Sequence, residues 1–368
     1  MDKKQIKHIA WIDDARTLTM LLVIIGHCTY INLMTPYGGI DYFDDIPSSE
    51  YSLVWKLLSV LVGFIYTFHM PLFMMLSGAC FSLTIGKESC ARKLIKNKAK
   101  RLLIPFLYTA LFISIPLKYM GGYYAGSVNV LKDIILGQLF LMGNSHLWFV
   151  FSLFWIFLVF YALYKLRLTS KCYFIPSLIC LSLLATYLGN KGYEFLGLVA
   201  AMKHLIYFSI GFKYLHIINA QKWGGQILGI NFMCYIILFF LLRKYGNADT
   251  TYVKILRYML TIFMGIYGSL IMMQFAKKIG KLSFLSESQV YTTFSKNSYE
   301  LYLFSDPFNY VLLYLMYELM GNYVVDNVCS ICSFLIRFFG TIALAFVVIW
   351  IKKLLCSKIF SYGTISKS

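Results

Sequence analysis

Charge is what this sequence has least of. Asp, Glu, Lys and Arg make up only 14% of its 368 residues, little more than half of the roughly 25% in a soluble globular protein, whose surface must be wet. That shortage excludes a soluble enzyme. With 59% hydrophobic and 18% aromatic residues, a disordered chain is excluded too. Acidic residues are scarcer still, 16 against 34 Lys and Arg, giving a net charge of +18. In a soluble chain that excess would point to nucleic acid. In a membrane chain it points to sidedness, because Lys and Arg accumulate in cytoplasmic loops and beside anionic lipid. No nucleic-acid partner is expected.

Other absences narrow the chemistry. There is no glycine-rich phosphate loop and no zinc-binding HExxH. Nine cysteines lie mostly inside apolar runs, and Cys329-x-x-Cys332 is a lone pair with no second pair or nearby His. It reads as packing, so neither a metal nor a disulfide scaffold is expected. No small-residue cleavage site follows the Lys-rich start, so no cleavable signal peptide is expected. No repeat, linker or low-complexity segment divides the chain, and residues 1–368 read as one integral-membrane domain.

What is present is apolar length. About 20 apolar residues span ~30 Å of hydrocarbon as a helix, and helices satisfy their own backbone there. Eleven runs qualify as candidates, near 17–33, 53–68, 70–85, 102–119, 147–164, 172–188, 199–215, 227–242, 257–276, 299–317 and 331–351. Lys3, Lys4 and Lys7 place the N-terminus inside, and loop 34–52, with Asp41, Asp44, Asp45, Glu50 and no base, lies outside. Loop 86–101 carries Lys87, Arg92, Lys93, Lys96, Lys98, Lys100 and Arg101 against Glu88, and lies inside. Residues 53–85 must then cross once, so the segment is expected to break at Pro71, with one half re-entrant or interfacial. Later loops alternate, down to Lys352, Lys353 and Lys358 inside. Only 243–257, with Arg243, Lys244, Lys254 and Arg257 against Asp249, falls on the wrong side. The expectation is an all-α polytopic bundle of about ten transmembrane helices in the cell membrane, both termini cytoplasmic.

Ionisable groups inside spans are costly and therefore candidates for function. Asp13 and Arg16, three apart, share a helix face, and His27, eleven residues beyond Arg16, is close to the same face and about 16 Å deeper. A His near mid-membrane can serve as a general base on a hydroxyl, or can be a core His bonded to a neighbouring helix. Lys98 and Arg101, also three apart, can grip phosphates or simply anchor a cytoplasmic loop. His69 sits beside the break at Pro71, where a broken segment can line a cavity. His146 opens another span together with Trp148, an ordinary interfacial aromatic. Glu300 and Asp306 lie in or at the edge of a late span, as cavity groups or as partners for a cation.

In order, these stretches resemble the membrane-bound acyltransferase 3 family. Asp13-x-x-Arg16-x10-His27 is similar to its opening Arg/Lys-x10-His signature, and Phe68-His69-Met70-Pro71-Leu72-Phe73 to Ser77-Gly78 to its Pro-Leu-Phe…Ser-Gly segment. Lys98-x-x-Arg101…Pro105 resembles its Arg-x-x-Arg motif, and His146-Leu147-Trp148-Phe149 its His-Leu-Trp-Phe motif. Ser298 to Pro307 resembles its closing Tyr-Leu-x-His-Pro element. The resemblance spans the whole chain. It implies ten helices, a cytoplasmic acyl-coenzyme A donor, and O-acylation, often O-acetylation, of a carbohydrate or lipid-linked glycan. It further implies that His27 is catalytic with Asp13 and Arg16 in support, and that Lys98 and Arg101 bind coenzyme A phosphates. His69, His146, Trp148 and Glu300 are carried as candidates for the acceptor side. Two departures stand out. Lys98 replaces the first Arg of its pair, keeping charge but losing the bidentate fork. Ser305 and Asp306 stand where a His is expected, so no catalytic role is transferred there. The rival readings are a transporter or flippase of a glycan or anionic substrate, and a membrane sensor or assembly partner without catalysis. Transporters often carry broken helices in matching halves, and the break at Pro71 has no counterpart in the second half.

Overall fold

The computed structural model describes residues 9–87, 90–245, 250–282 and 288–365. Lys3, Lys4, Lys7, Glu88 and Asp249 lie outside the described residues, as do the side chains of Cys356 and Lys358. The chain forms helices α1 (Ala10–His27), α2 (Leu53–Tyr66), α3 (His69–Thr84), α4 (Ala91–Met120), α5 (Trp148–Lys165) and α6 (Phe174–Asn190). It continues as α7 (Leu198–Ala220), α8 (Gly225–Lys244), α9 (Thr251–Ile279), α10 (Gln289–Lys296), α11 (Ser298–Met320) and α12 (Asn327–Ile365). One feature departs from the all-α expectation. A small antiparallel hairpin, Asn32–Thr35 against Gly38–Asp41, follows α1 and is anchored by the Gly39 amide donating to the Tyr123 carbonyl at 2.8 Å.

Among the described residues, six stretches are long and apolar enough to cross a membrane: Leu53–Thr84, Ala91–Met120, Trp148–Lys165, Gly225–Lys244, Tyr252–Ile279 and Asn327–Leu355. The helices that fall short do so for visible reasons. α6 is short, while α1, α7 and α11 carry the ionisable and polar residues that line the interior of the bundle. Ranks of exposed apolar side chains, such as Leu57 and Leu61 on α2, Phe112 on α4 and Phe339 and Trp350 on α12, form the outer surface. These are the side chains a bilayer would solvate.

The expected break in 53–85 falls at Thr67 and Phe68, between α2 and α3. Pro71 sits in the first turn of α3, where its missing N–H costs nothing because first-turn amides have no intrahelical acceptor. The two halves differ in surroundings. α2 buries only Trp55 and Ile65, whereas α3 is sunk in the core on nearly every side, from His69 to Phe81. It packs most extensively on α7. Two glycines make that approach possible: a Cβ on Gly78 would lie 2.0 Å from the Phe208 carbonyl oxygen, and one on Gly211 would lie 1.9 Å from that of Met75. Small residues at such a crossing let backbones pack directly.

α4 begins at Ala91, eleven residues before the apolar run that announces it. The basic stretch 92–101 is therefore helical rather than a loop, and α4 is relaxed by two π-type turns, Ala99–Leu103 and Ala110–Ser114, just ahead of Pro105 and Pro116. Such insertions are how a helix absorbs an internal proline.

Inter-helix bonds sort the helix ends into two sets. Trp11 Nε1 donates to Asn219 Oδ1, Tyr291 to Asp14, and Lys352 Nζ to Glu300, at the end that holds Arg16. Ser52 bonds Ser330 and Asn190 bonds Tyr258 at the opposite end, beyond His27. Replacing Gly78 or Gly211 by Ala should lower stability by about 1–3 kcal/mol or more, the cost of overpacking, read as a drop in the thermal unfolding midpoint of the detergent-solubilised protein. An unchanged midpoint in both variants would mean that α3 and α7 part without penalty.

Candidate active site

α1 ends at His27, and the last carbonyls of a helix have no intrahelical donor. Arg337 of α12 supplies one: its Nη2 lies 3.3 Å from the His27 carbonyl oxygen and its Nε donates to Asn309 Oδ1 at 3.1 Å. The arginine is fully buried, so its cation also meets the negative end of the α1 dipole. The His27 ring stacks on Tyr30, centroids 5.2 Å apart, and its side chain is 12% exposed.

The centre of the site is Asp306, buried on α11. Its Oδ1 lies 2.8 Å from His27 Nδ1 and its Oδ2 lies 3.1 Å from His146 Nδ1. Both approaches are close but off-line as hydrogen bonds, and catalytic pairs of this kind align when substrate is bound. His146 Nε2 donates to the Leu303 carbonyl at 3.0 Å. That carbonyl is available because Pro307, four residues on, has no N–H to give it. Tyr302 also donates to the carbonyl of His146. His27 turns Nδ1 toward the carboxylate, and an imidazole that carries its proton there keeps Nε2 as its basic nitrogen. Both nitrogens of His146 face acceptors, Nε2 the Leu303 carbonyl and Nδ1 the Asp306 carboxylate.

The segment before His146 is held by a second buried cation. Lys118 on α4 is fully buried, donates to Gln138 Oε1 at 3.1 Å and to the Asn144 carbonyl, and lies over the rings of Tyr123 and Tyr310. Asn144 Nδ2 in turn donates to the Tyr310 hydroxyl at 3.0 Å.

Two cavities lie on either side of Tyr302. The first, about 280 Å³, is lined by His27, Tyr66, His69, His146, Trp148 and Asp306, with Lys203 and His204. The second, about 420 Å³, lies toward the other end and is lined by Arg16, Lys98, Arg101, Lys296, Tyr299 and Tyr302, among others. Tyr302 lines both. Lys98 Nζ sits 3.5 Å from the centroid of Phe157. Arg101 is fixed through its backbone, its carbonyl accepting from Tyr299 at 3.1 Å, and again the proline four residues on, Pro105, has no N–H for it.

The residues expected from the sequence divide accordingly. His27, His69, His146 and Trp148 gather round the first cavity, and Lys98 and Arg101 line the second. Asp13 and Arg16 do not support His27. Arg16 pairs with Asp13 at 2.9 Å and lies 3.6 Å from Cys80 Sγ, facing the basic cavity. A shared helix face cannot close the ~16 Å of helix rise between Arg16 and His27. Glu300 departs from the acceptor-side expectation as well: it pairs with Lys352 at 2.5 Å and lines neither cavity. Trp148, expected as an interfacial anchor, is a cavity wall against His204, centroids 5.3 Å apart. His27 is flanked instead by Asp306, one of the two late-span carboxylates expected to line a cavity or pair with a cation, and by Arg337, for which the sequence carries no expectation. The available signal was that Arg337, Lys118, Lys203 and His204 are themselves ionisable groups within apolar runs.

No curated protein and no solved structure matches the chain. Residues 9–351 match the family model described as an acyltransferase domain, Acyl_transf_3. That match takes in every residue of both cavities, and the protein belongs to this acyltransferase family as a multi-pass membrane enzyme.

Proposed function

We propose that the protein transfers an acyl group, in the first instance acetyl, from cytoplasmic acyl-coenzyme A to a hydroxyl of a cell-surface or lipid-linked carbohydrate, in the cell membrane. The observation that carries this reading is a His27–Asp306 pair set between a basic cavity and a polar one that share Tyr302. Arg16, Lys98, Arg101 and Lys296 supply positive charge for the donor's phosphates. The charge pattern puts that end in the cytoplasm, where coenzyme A is found. The thioester then extends past Tyr302 toward His27.

In the chemical step, His27 Nε2 takes the proton of the acceptor hydroxyl as its oxygen attacks the thioester carbonyl. The new C–O bond forms, the C–S bond breaks, and the proton passes to the departing thiolate, giving ester and free coenzyme A. Asp306 holds the ring with Nδ1–H inward and stabilises the charge that develops on it, the part a carboxylate plays behind a catalytic His.

Purified protein supplied with radiolabelled acetyl-coenzyme A and crude envelope glycan should label the glycan, whereas translocation without labelling would support a transporter. His27→Ala should abolish labelling while the protein still inserts and accumulates, and retained acylation would sink the assignment. Asp306→Asn keeps the shape but loses the charge, and should lower kcat by about 10²–10⁴-fold, the range of a positioned general base. Lys98→Ala with Arg101→Ala should raise the apparent KM for acetyl-coenzyme A by roughly tenfold to a hundredfold, the equivalent of one or two charge-assisted hydrogen bonds. An unchanged KM would return these two residues to membrane anchoring.

A further inference from the structure

The cavity beside His27 holds more chemistry than a single general base uses. Two further imidazoles line it, His69 and His204. Each is tied through Nδ1 to a carbonyl four residues back, His69 to Ile65 at 3.1 Å and His204 to Ala200 at 2.8 Å. A neutral imidazole that donates from Nδ1 has Nε2 left as an acceptor. Neighbouring rings that also line the cavity hold both imidazoles: Tyr66 lies 4.8 Å from His69 and Trp148 lies 5.3 Å from His204, centroid to centroid. Two walls therefore offer fixed acceptors, and the natural complement to fixed acceptors is a set of hydroxyl donors.

Lys203, next to His204, lines the same cavity. Among the described residues its ammonium has no hydrogen-bond or ion-pair partner. The carboxylates that could serve are engaged elsewhere. Glu194 caps the start of α7 by accepting from the amides of Phe195, Val199 and Ala200, at 3.0–3.2 Å. Asp306 is held between His27 and His146. A cation within an apolar run and without a counter-ion is costly, and an anion brought by a ligand offsets that cost.

We infer that the acceptor is an acidic polyol, whose hydroxyls donate to His69 and His204 and whose carboxylate or phosphate pairs with Lys203. The inference rests on the proposed acyl transfer at His27 and specifies which hydroxyl compounds reach it. A cavity of about 280 Å³ is at the small end of ligand sites, so it takes one acidic sugar unit rather than a length of polymer.

The test is binding to the full-length protein in detergent with no donor present, followed by calorimetry. The probes are methyl glucuronoside for a carboxylate, glucose 1-phosphate for a phosphate, and methyl glucoside as the neutral reference. One of the two acidic probes should bind at least about tenfold more tightly than the neutral one, equivalent to ~1.4 kcal/mol, and which one does so identifies the oxyanion. Lys203→Gln should remove the preference and Lys203→Arg should retain it, each variant being checked for a monodisperse, cooperatively unfolding preparation. Equal binding of acidic and neutral probes overturns the inference, as does no binding of either acidic probe, or a preference that survives in Lys203→Gln. Acetyl transfer to the same probes is read separately. Acid-selective binding without transfer would defeat the proposed reaction and leave the acidic ligand standing, while transfer to neutral probes alone would do the reverse.

Discussion

A single carboxylate, Asp306, holds the centre of this protein together. Buried and unpaired it would be severely destabilising, since an isolated charge pays the full cost of leaving water. Two imidazoles at 2.8 and 3.1 Å make it tolerable, and they come from α1 and from the segment that leads into α5. The carboxylate thus ties together three parts of the chain that are far apart in sequence. Arg337 fastens the last turn of α1 from α12, and Lys118 fastens the segment before His146 from α4. The chemistry and the packing at this end are the same set of contacts, so a substitution that frees the carboxylate damages both.

The rest of the bundle divides by solvent. Helices that face outward, α2, α8 and much of α12, are apolar with few buried positions. Helices that face inward, α1, α7 and α11, are polar enough to fall below the standard of a membrane span. Their polarity is affordable because it is turned toward cavities and toward each other. Between α3 and α7, Gly78 and Gly211 bring two backbones together without side chains between them, which sets how close Lys203 and His204 stand to His69.

Much of this was legible in the sequence, for reasons that are local. Apolar run lengths gave the helical membrane class, Pro71 marked the break that falls at Thr67 and Phe68, and the ordered motifs marked His27, His146, Lys98 and Arg101. Helical spacing failed where it was asked to carry a role. Asp13 and Arg16 share a face with His27, but a face says nothing about distance along the axis, and Arg16, paired with Asp13, lines the other cavity. Asp306 was legible as a cavity group or partner for a cation, but its place between His27 and His146 depends on three elements converging, which no local pattern shows. Lys203 and His204 were visible as charges within an apolar run, yet only the fold places them in one cavity with His69.

The prolines have a consequence that side-chain comparison alone would miss. Pro307 leaves the Leu303 carbonyl to His146, and Pro105 leaves the Arg101 carbonyl to Tyr299. In both cases a helix gives up one rung of its ladder, and a distant residue becomes the replacement donor. What is constrained at positions 146 and 299 is therefore the delivery of one N–H or O–H to a fixed point in space, a demand written in the partner helix by a proline. Losing the buried donor at 146 would strand the Leu303 carbonyl away from water, whereas the Tyr299 bond to Arg101 lies at an exposed edge and its loss would cost less.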